Sequence, residues 1–216
     1  MVSFEELKDG LPSVFQKSIA LFDRLWSGDD TRDFATKDLT VSGEVTYKDT
    51  FFDDLRIPLT QSKQGSNLKP DFDQANVGLL FPQSNADEIA YFIAQMPHGW
   101  KEGTAIFPHI HWQQSAATGV VWKLAYKLIP AGGEVPAAFT TIASTDNEFA
   151  YISGNLGQIS RLGSTAGIDM SGYALSTLIL AKLYRDDNTT TGDVTAWDID
   201  FHYEIDTPGS RQEFIK

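Results

Sequence analysis

The sequence predicts an all-β protein: an antiparallel, jelly-roll-like β-sandwich over residues 46–216, preceded by an N-terminal helical arm and linker over residues 1–45. Three observations lead to this prediction. About eight or nine short strand-like runs are separated by turn residues, with no helical pattern between them. The last of these runs alternates apolar and polar residues along its length. The first 26 residues carry a helical apolar stripe instead.

The N-terminal segment has the pattern of an amphipathic helix. Ser3 and Glu6 match a capping box, and Pro12 suits the first turn of a main helix that ends near Trp26. The apolar residues at three- and four-residue spacing are Phe4, Leu7, Leu11, Phe15, Ile19, Phe22 and Trp26. Two interpretations stay open. Either this face packs on its own domain, or it is a docking arm that buries Phe15, Phe22 and Trp26 on another subunit.

The middle of the chain reads as a series of strands. Residues 78–82, 88–97, 104–112 and 120–130 have apolar or alternating patterns, and residues 174–184 predict the most buried strand. Within residues 88–97, Ile89, Tyr91 and Ile93 alternate with equally apolar neighbours. This pattern indicates either burial on both faces or an interface on one of them.

The last strand has the clearest pattern in the chain. One face is apolar: Trp197, Ile199, Phe201, Tyr203 and Ile205. The opposite face is polar: Asp198, Asp200, His202, Glu204 and Asp206. Because side chains alternate along a strand, the first set is expected in the core and the second set outside it.

Composition excludes several classes of function. The net charge of −12, with no basic run longer than two residues, disfavours nucleic acid as a direct partner. The absence of cysteine excludes disulfides and thiolate chemistry. No apolar run approaches the ~18 residues of a membrane helix, and the N-terminus lacks a signal-peptide pattern. We therefore expect synthesis in a cytoplasm and no membrane partner.

A histidine strand is the best candidate for a metal site. The spacing of Gly103, His109 and His111 matches the opening of the cupin motif. On a strand, His109 and His111 point the same way and could bind one ion. Ser115 and Ala116, however, stand where a cupin has its glutamate. The match is incomplete, and the second half of the motif is not found.

Two interpretations of the histidines follow. The favoured one is a hydrogen-bonded structural cluster of His109, His111, Asp200 and His202. The other is a metal site at His109, His111 and His202. On the favoured interpretation we expect no metal and no other cofactor.

Catalytic patterns are lacking from the sequence. There is no Gly-x-Ser-x-Gly elbow, no P-loop and no Gly-x-Gly-x-x-Gly. The carboxylates of the last strand are interpreted as a solvated face rather than a glycosidase pair. We therefore expect no catalytic residues.

Four tryptophans could stack on sugars: Trp100, Trp112, Trp122 and Trp197. Trp122 and Trp197 fall on apolar strand faces, so both are predicted in the core. Trp100 stands in a turn-like segment and is the one expected to be exposed. It is therefore the candidate interaction residue outside the arm.

Three segments carry a family resemblance. They are MPHGWKEGTAIFPHIHW (residues 96–112), WDIDFHYEIDTPGSRQEFIK (residues 197–216) and DDLRIPLTQSKQGS (residues 53–66). Together they resemble a family of structural proteins encoded in tailed phages and prophages. Its members carry a Pro-His-x-Trp-x-x-Gly-Thr turn before a His-x-His-Trp strand, and a terminal Asp-Phe-His-Tyr strand followed by Gly-Ser-Arg. The likeness runs from near Phe51 to the end and leaves out the N-terminal arm.

The resemblance implies a non-enzymatic virion component, made in the host cytoplasm and assembled in many copies. Its partners would be other virion proteins and copies of itself. We favour capsid decoration, that is, a cement protein. A tail or neck protein, including a receptor- or glycan-binding module, is the first alternative, and a cupin-like metalloprotein is the second. The resemblance brings no enzymatic residues with it.

Overall fold

The computed structural model describes residues 51–64, 70–83, 88–116, 120–151, 154, 156–186, 192–210 and 213. They belong to one compact unit, residues 44–216. These residues form antiparallel strands and one short 3-10 helix, which confirms the predicted all-β class. No helix among them is long and apolar enough to cross a membrane. The predicted helical arm, with Phe15, Phe22 and Trp26, lies outside the described residues.

The elements follow one another in chain order. The strands are β1 (Phe51–Pro58), β2 (Lys63–Gln64), β3 (Asp71–Asp73), β4 (Gly78–Phe81), β5 (Ile89–Gln95), β6 (Ile106–Gln114), β7 (Trp122–Ile129), β8 (Thr140–Asn147), β9 (Leu156–Leu162), β10 (Leu178–Arg185) and β11 (Val194–Ile205). The 3-10 helix (Leu59–Gln61) follows β1.

All strands join one curled sheet. Its order is β2-β5-β10-β7-β8-β9-β6-β11-β4-β3, and β1 pairs with β11. The curl lies at β8, which pairs with β7 over Thr140–Ala143 and with β9 from Ser144 onward. A register shift between Ser144 and Asp146 accompanies the change of partner. We call β2, β5, β10 and β7 the first half-sheet, and the strands from β9 to β3, with β1, the second half-sheet.

Aromatic side chains bridge the two half-sheets. Trp122 of the first half-sheet packs edge-to-face on Trp112 and Phe81 of the second, with ring centroids 6.0 and 5.1 Å away. The ring of Phe92, also of the first half-sheet, lies 6.5 Å from that of Phe201 of the second, at a tilt of 55°. These rings are buried. The core therefore lies between two facing layers, which is consistent with the predicted sandwich.

The alternation on β11 correctly predicts which side chains enter this core. Ile199, Phe201 and Tyr203 are buried between the layers. Asp200 and His202 lie on the other face, where they contact polar groups of neighbouring strands. The two-residue period of the strand therefore places apolar side chains on one face of β11 and polar side chains on the other.

The predicted core position of Trp197 is wrong. The pairing of β11 with β6 shifts between Ala196 and Asp198, and such an irregularity moves the residues before it to the opposite face. Ala196 therefore occupies the core, and Trp197 is only half-buried. Its indole Nε1 donates a hydrogen bond to the carbonyl oxygen of Asn76 at 2.8 Å.

Candidate functional site: a histidine–aspartate cluster

Polar side chains meet on the outer face of the second half-sheet, where β1, β11 and β6 lie side by side. Asp200 is paired with Arg56 on one neighbouring strand and with His109 on the other. Two residues after Asp200 on β11, His202 is paired with Asp54 of β1. Two residues before Asp200, Asp198 is paired with His111 of β6. We call the following set the histidine–aspartate cluster: Asp54, Arg56, His109, His111, Asp198, Asp200 and His202.

Asp200 is the centre of the cluster. Its Oδ2 lies 2.9 Å from Nε2 of His111 and accepts a hydrogen bond from it. Its Oδ1 lies 3.5 Å from Nδ1 of His109 and 4.0 Å from Nε2 of His202. The side chain is only 6% exposed. One buried carboxylate thus faces three imidazole rings.

This environment shifts two pKa values in opposite directions. Burial alone would raise the pKa of Asp200, but the interactions with His109 and His111 outweigh it and hold that pKa well below 3.8. The bond to Asp200 raises the pKa of His111 above 6.5, against the opposing effect of its partial burial. The Asp200 carboxylate is therefore ionised and able to bind a proton donor or a cation.

A second buried carboxylate is neutralised by arginine. Nε of Arg56 donates a hydrogen bond to Oδ2 of Asp198 at 2.9 Å, and Nη2 of the same guanidinium donates to the same oxygen. This pair joins β1 to β11. It also places a permanent positive charge beside Asp198.

His202 lies at the solvent side of the cluster. Its side chain is 41% exposed, and its Nε2 lies 2.8 Å from Oδ1 of Asp54. Its ring contacts that of His109, with centroids 4.4 Å apart and the two planes tilted by 55°. Solvent therefore reaches the cluster from the His202 side.

Three buried atoms of the cluster have no hydrogen-bond partner among the described residues. They are Oδ1 of Asp198, Oδ1 of Asp200 and Nδ1 of His109. Buried polar atoms are normally hydrogen-bonded, so unpartnered ones call for an explanation. Two overlapping sets bring potential ligand atoms within 4.8 Å of one another: His109, Asp200 and His202, and His111, Asp198 and Asp200. Either set has the donor types of a metal site.

The structure brings together the four residues that were predicted to cluster: His109, His111, Asp200 and His202. Sequence reasoning missed the contribution of β1, namely Asp54 and Arg56. The available signal was the alternation in DDLR, which places both side chains on one face of a strand. Glu204, which the sequence placed on the same acidic face, instead pairs with Lys101 at 3.0 Å.

The expectation that Trp100 is exposed is wrong, because its side chain is fully buried. The turn that carries Trp100 pairs with the end of β11. Trp100 forms a β-bridge with Ile205, and the backbone N–H of Lys101 donates a hydrogen bond to the carbonyl oxygen of Glu204 at 2.8 Å. The indole Nε1 donates to Oγ1 of Thr104 at 3.2 Å. Trp100 therefore offers no aromatic surface for a sugar or another protein.

An exposed apolar surface lies instead on the outer face of the first half-sheet. On β5, Phe92 and its alternate neighbours point into the core, while Tyr91 and Ile93 point outward and are 39% and 66% exposed. In the β5–β10 register Ile93 is directly opposite Leu180. We call Tyr91, Ile93, Leu178 and Leu180 the β5–β10 patch. Of the two alternatives for this strand, an apolar surface on one face matches the structure.

No protein-family model and no curated protein matches the chain. Among solved structures, a chain in the structure of the Gt strain of infectious bursal disease virus aligns at 14% identity, over 82% of this chain and 45% of that one, with a TM-score of 0.20. The Gx strain gives 14% identity over 73% and 42%, with a TM-score of 0.15. The present chain thus spans less than half the length of either viral chain.

Proposed function

We propose that this protein is a non-enzymatic structural component of a tailed-phage virion, and that it decorates the capsid by self-association and by binding other virion proteins. The similarity of residues 96–112 and 197–216 to tailed-phage structural proteins supports the virion assignment. A jelly-roll-like sandwich suits binding in symmetric copies on a particle surface. The protein would be made in the host cytoplasm and retained on the particle.

The observation that carries the proposal is the β5–β10 patch. Ile93 is 66% exposed on the outer face of the first half-sheet, directly opposite Leu180. Lys127 and Lys182, the cross-strand neighbours of Leu180 and Tyr91, border this apolar surface. Apolar surface rimmed by polar residues is typical of protein interaction sites. Burying the exposed part of Ile93 alone contributes about 1–2 kcal/mol to association.

The edge strand β1 offers a second surface. It pairs with β11 on one side, and no strand of the described residues pairs with its other side. Phe52 is exposed there and packs edge-to-face on Phe107, with ring centroids 6.2 Å apart. Edge strands readily pair with other chains, so β1 is suited to contact a neighbouring virion protein.

The test compares Ile93→Asp with Val135→Asp. Val135 is a matched control because it is 62% exposed and lies outside both surfaces. Each variant is examined by light scattering for oligomeric state and by co-sedimentation with purified capsids and, separately, tails. We expect discrete oligomers and capsid binding for the unmodified protein and for Val135→Asp, and at least a tenfold loss for Ile93→Asp, which the burial of one aliphatic side chain supports.

An unmodified protein that stays monomeric at high concentration and binds neither capsids nor tails would contradict the proposal. Binding to tails alone would favour the tail or neck assignment over decoration. Equal losses in both aspartate variants would show that added charge, rather than the β5–β10 patch, weakens assembly.

A further inference from the structure

Two buried atoms in the histidine–aspartate cluster face each other without a hydrogen bond. Oδ1 of Asp200 and Nδ1 of His109 are 3.5 Å apart, and neither has a hydrogen-bond partner among the described residues. Nε2 of His202 lies 4.0 Å from the same carboxylate oxygen. The Asp200 side chain is more than nine-tenths buried. Three potential ligand atoms therefore surround one point beneath the surface of the sheet.

We propose that this point is a site for one divalent transition-metal ion of the Zn²⁺ class, bound by His109 Nδ1, Asp200 Oδ1 and His202 Nε2. A tetrahedral zinc ion with bonds of about 2.0–2.1 Å holds its ligand atoms roughly 3.3 Å apart. The separations of 3.5 and 4.0 Å approach this value. Each of these two separations would have to contract by less than 1 Å, and the ligand atoms of His109 and His202 already lie within 4.8 Å of each other.

The chemistry of the donors selects the kind of ion. Two imidazoles and one carboxylate suit zinc and its neighbours in the first transition row, whereas calcium and magnesium prefer oxygen ligands alone. Three protein ligands leave a fourth position, which water can fill from the exposed side of His202. Binding would replace the contact between His202 and Asp54.

The second set of donors, His111, Asp198 and Asp200, is less suited to a cation. His111 Nε2 already donates to Asp200 Oδ2 at 2.9 Å, so both atoms are satisfied. The guanidinium of Arg56 contacts Asp198 and would repel an ion placed beside it. Asp200 therefore presents Oδ2 to a proton donor and Oδ1 to the metal.

The position of the ligands implies a structural consequence. His109 belongs to β6, whereas Asp200 and His202 belong to β11, and the two strands are paired in register. An ion held by both strands would fasten the centre of the second half-sheet. Because the metal binds the folded chain, its addition should raise the melting temperature.

The experiment uses the full chain without an affinity tag, freed of metal with a chelator and dialysed. ZnCl₂ is then titrated by isothermal calorimetry, and melting temperature is recorded with and without the ion. We expect one Zn²⁺ per chain and a rise in melting temperature of about 5 °C or more. His202→Ala, at a half-exposed position that tolerates truncation, should weaken zinc binding at least tenfold while the circular dichroism spectrum stays unchanged.

Two control variants locate the site. His98→Gln removes a histidine outside the cluster, and His111→Gln disrupts only the second donor set; both should retain one zinc ion at near-normal affinity. The proposal is overturned if the unmodified chain binds no zinc, if His202→Ala binds it as tightly as the unmodified chain, or if His111→Gln abolishes binding while His202→Ala does not.

Discussion

Nε2 of His111 lies 2.9 Å from Oδ2 of Asp200, so a histidine of β6 and an aspartate of β11 are joined across the centre of the second half-sheet. The partners are 89 residues apart in sequence. The same aspartate lies beside His109 and His202. Asp200 thus connects elements that only the folded sheet brings together.

Replacing Asp200 tests how much this connection stabilises the protein without metal. We expect Asp200→Ala, measured by urea unfolding in the presence of EDTA, to lower the free energy of unfolding by about 2 kcal/mol, because the charged hydrogen bond with His111 is lost. Glu134→Ala, at an exposed loop position, should change it little. Equal stability of the two variants would show that the cluster does not stabilise the fold.

Alanine substitutions at two glycines distinguish the cost of backbone strain from the cost of a steric clash. Gly167 and Gly172 both have positive φ, +73° and +82°. A Cβ at Gly167 would lie 2.7 Å from the carbonyl oxygen of Ile106 and 2.9 Å from the Phe107 ring, whereas Gly172 faces open space. We expect Gly172→Ala to cost about 1 kcal/mol from backbone strain and Gly167→Ala at least about 2 kcal/mol.

Urea unfolding of both alanine variants measures this difference. A Gly167→Ala variant that is no less stable than Gly172→Ala would contradict the close contact between the Gly167 turn and β6.

Trp122 packs between the two half-sheets. Its ring meets both Trp112 and Phe81 and is fully buried. We expect Trp122→Ala to lower the free energy of unfolding by about 3–5 kcal/mol, from lost apolar burial and the cavity that remains. Val135→Ala, in an exposed loop, serves as the control. A loss below about 1 kcal/mol would contradict a core at the Trp122 position.

Asp73 gives a pH-dependent prediction. Its Oδ2 accepts hydrogen bonds from Thr195 Oγ1 at 2.5 Å and from Asn76 Nδ2 at 2.7 Å, and these lower its pKa below 3.8. A carboxyl whose pKa falls on folding stabilises the protein above its unfolded pKa, and that contribution disappears as pH falls through the folded pKa. The destabilisation caused by Asp73→Ala should therefore be larger at pH 7 than at pH 3.

The check is urea unfolding at both pH values, with Asp71→Ala on the same strand as the control, since Asp71 is exposed. A deficit for Asp73→Ala that is constant between pH 7 and pH 3 would show that its carboxylate is not the stabilising group.

Local patterns predicted the class of the fold and the two faces of β11. Ile199 and Phe201 are inside, and Asp200 and His202 are outside, because the period of two is a property of any strand. The same pattern failed at Trp197, because the irregularity between Ala196 and Asp198 depends on pairing with β6 rather than on sequence spacing.

Non-local pairing also explains what the sequence did not reveal about the site. Arg56 reaches Asp198 only because β1 pairs with β11, a contact between residues 142 positions apart. Trp100 stands in a turn and was therefore predicted to be exposed. It is buried because that turn pairs with the end of β11. These contacts form only in the assembled sheet, so the hydrophobic periodicity and turn residues of the sequence do not predict them.

The most direct test of a virion role is peptide mass spectrometry of gradient-purified tailed particles from a host that carries the gene, with the soluble lysate fraction measured in parallel. We expect this chain in the particle fraction in multiple copies, at a fixed ratio to the major capsid protein. We expect Ile93→Asp to lower this ratio and Val135→Asp to leave it unchanged. A chain found only in the soluble fraction, while intact particles form normally, would contradict a virion role.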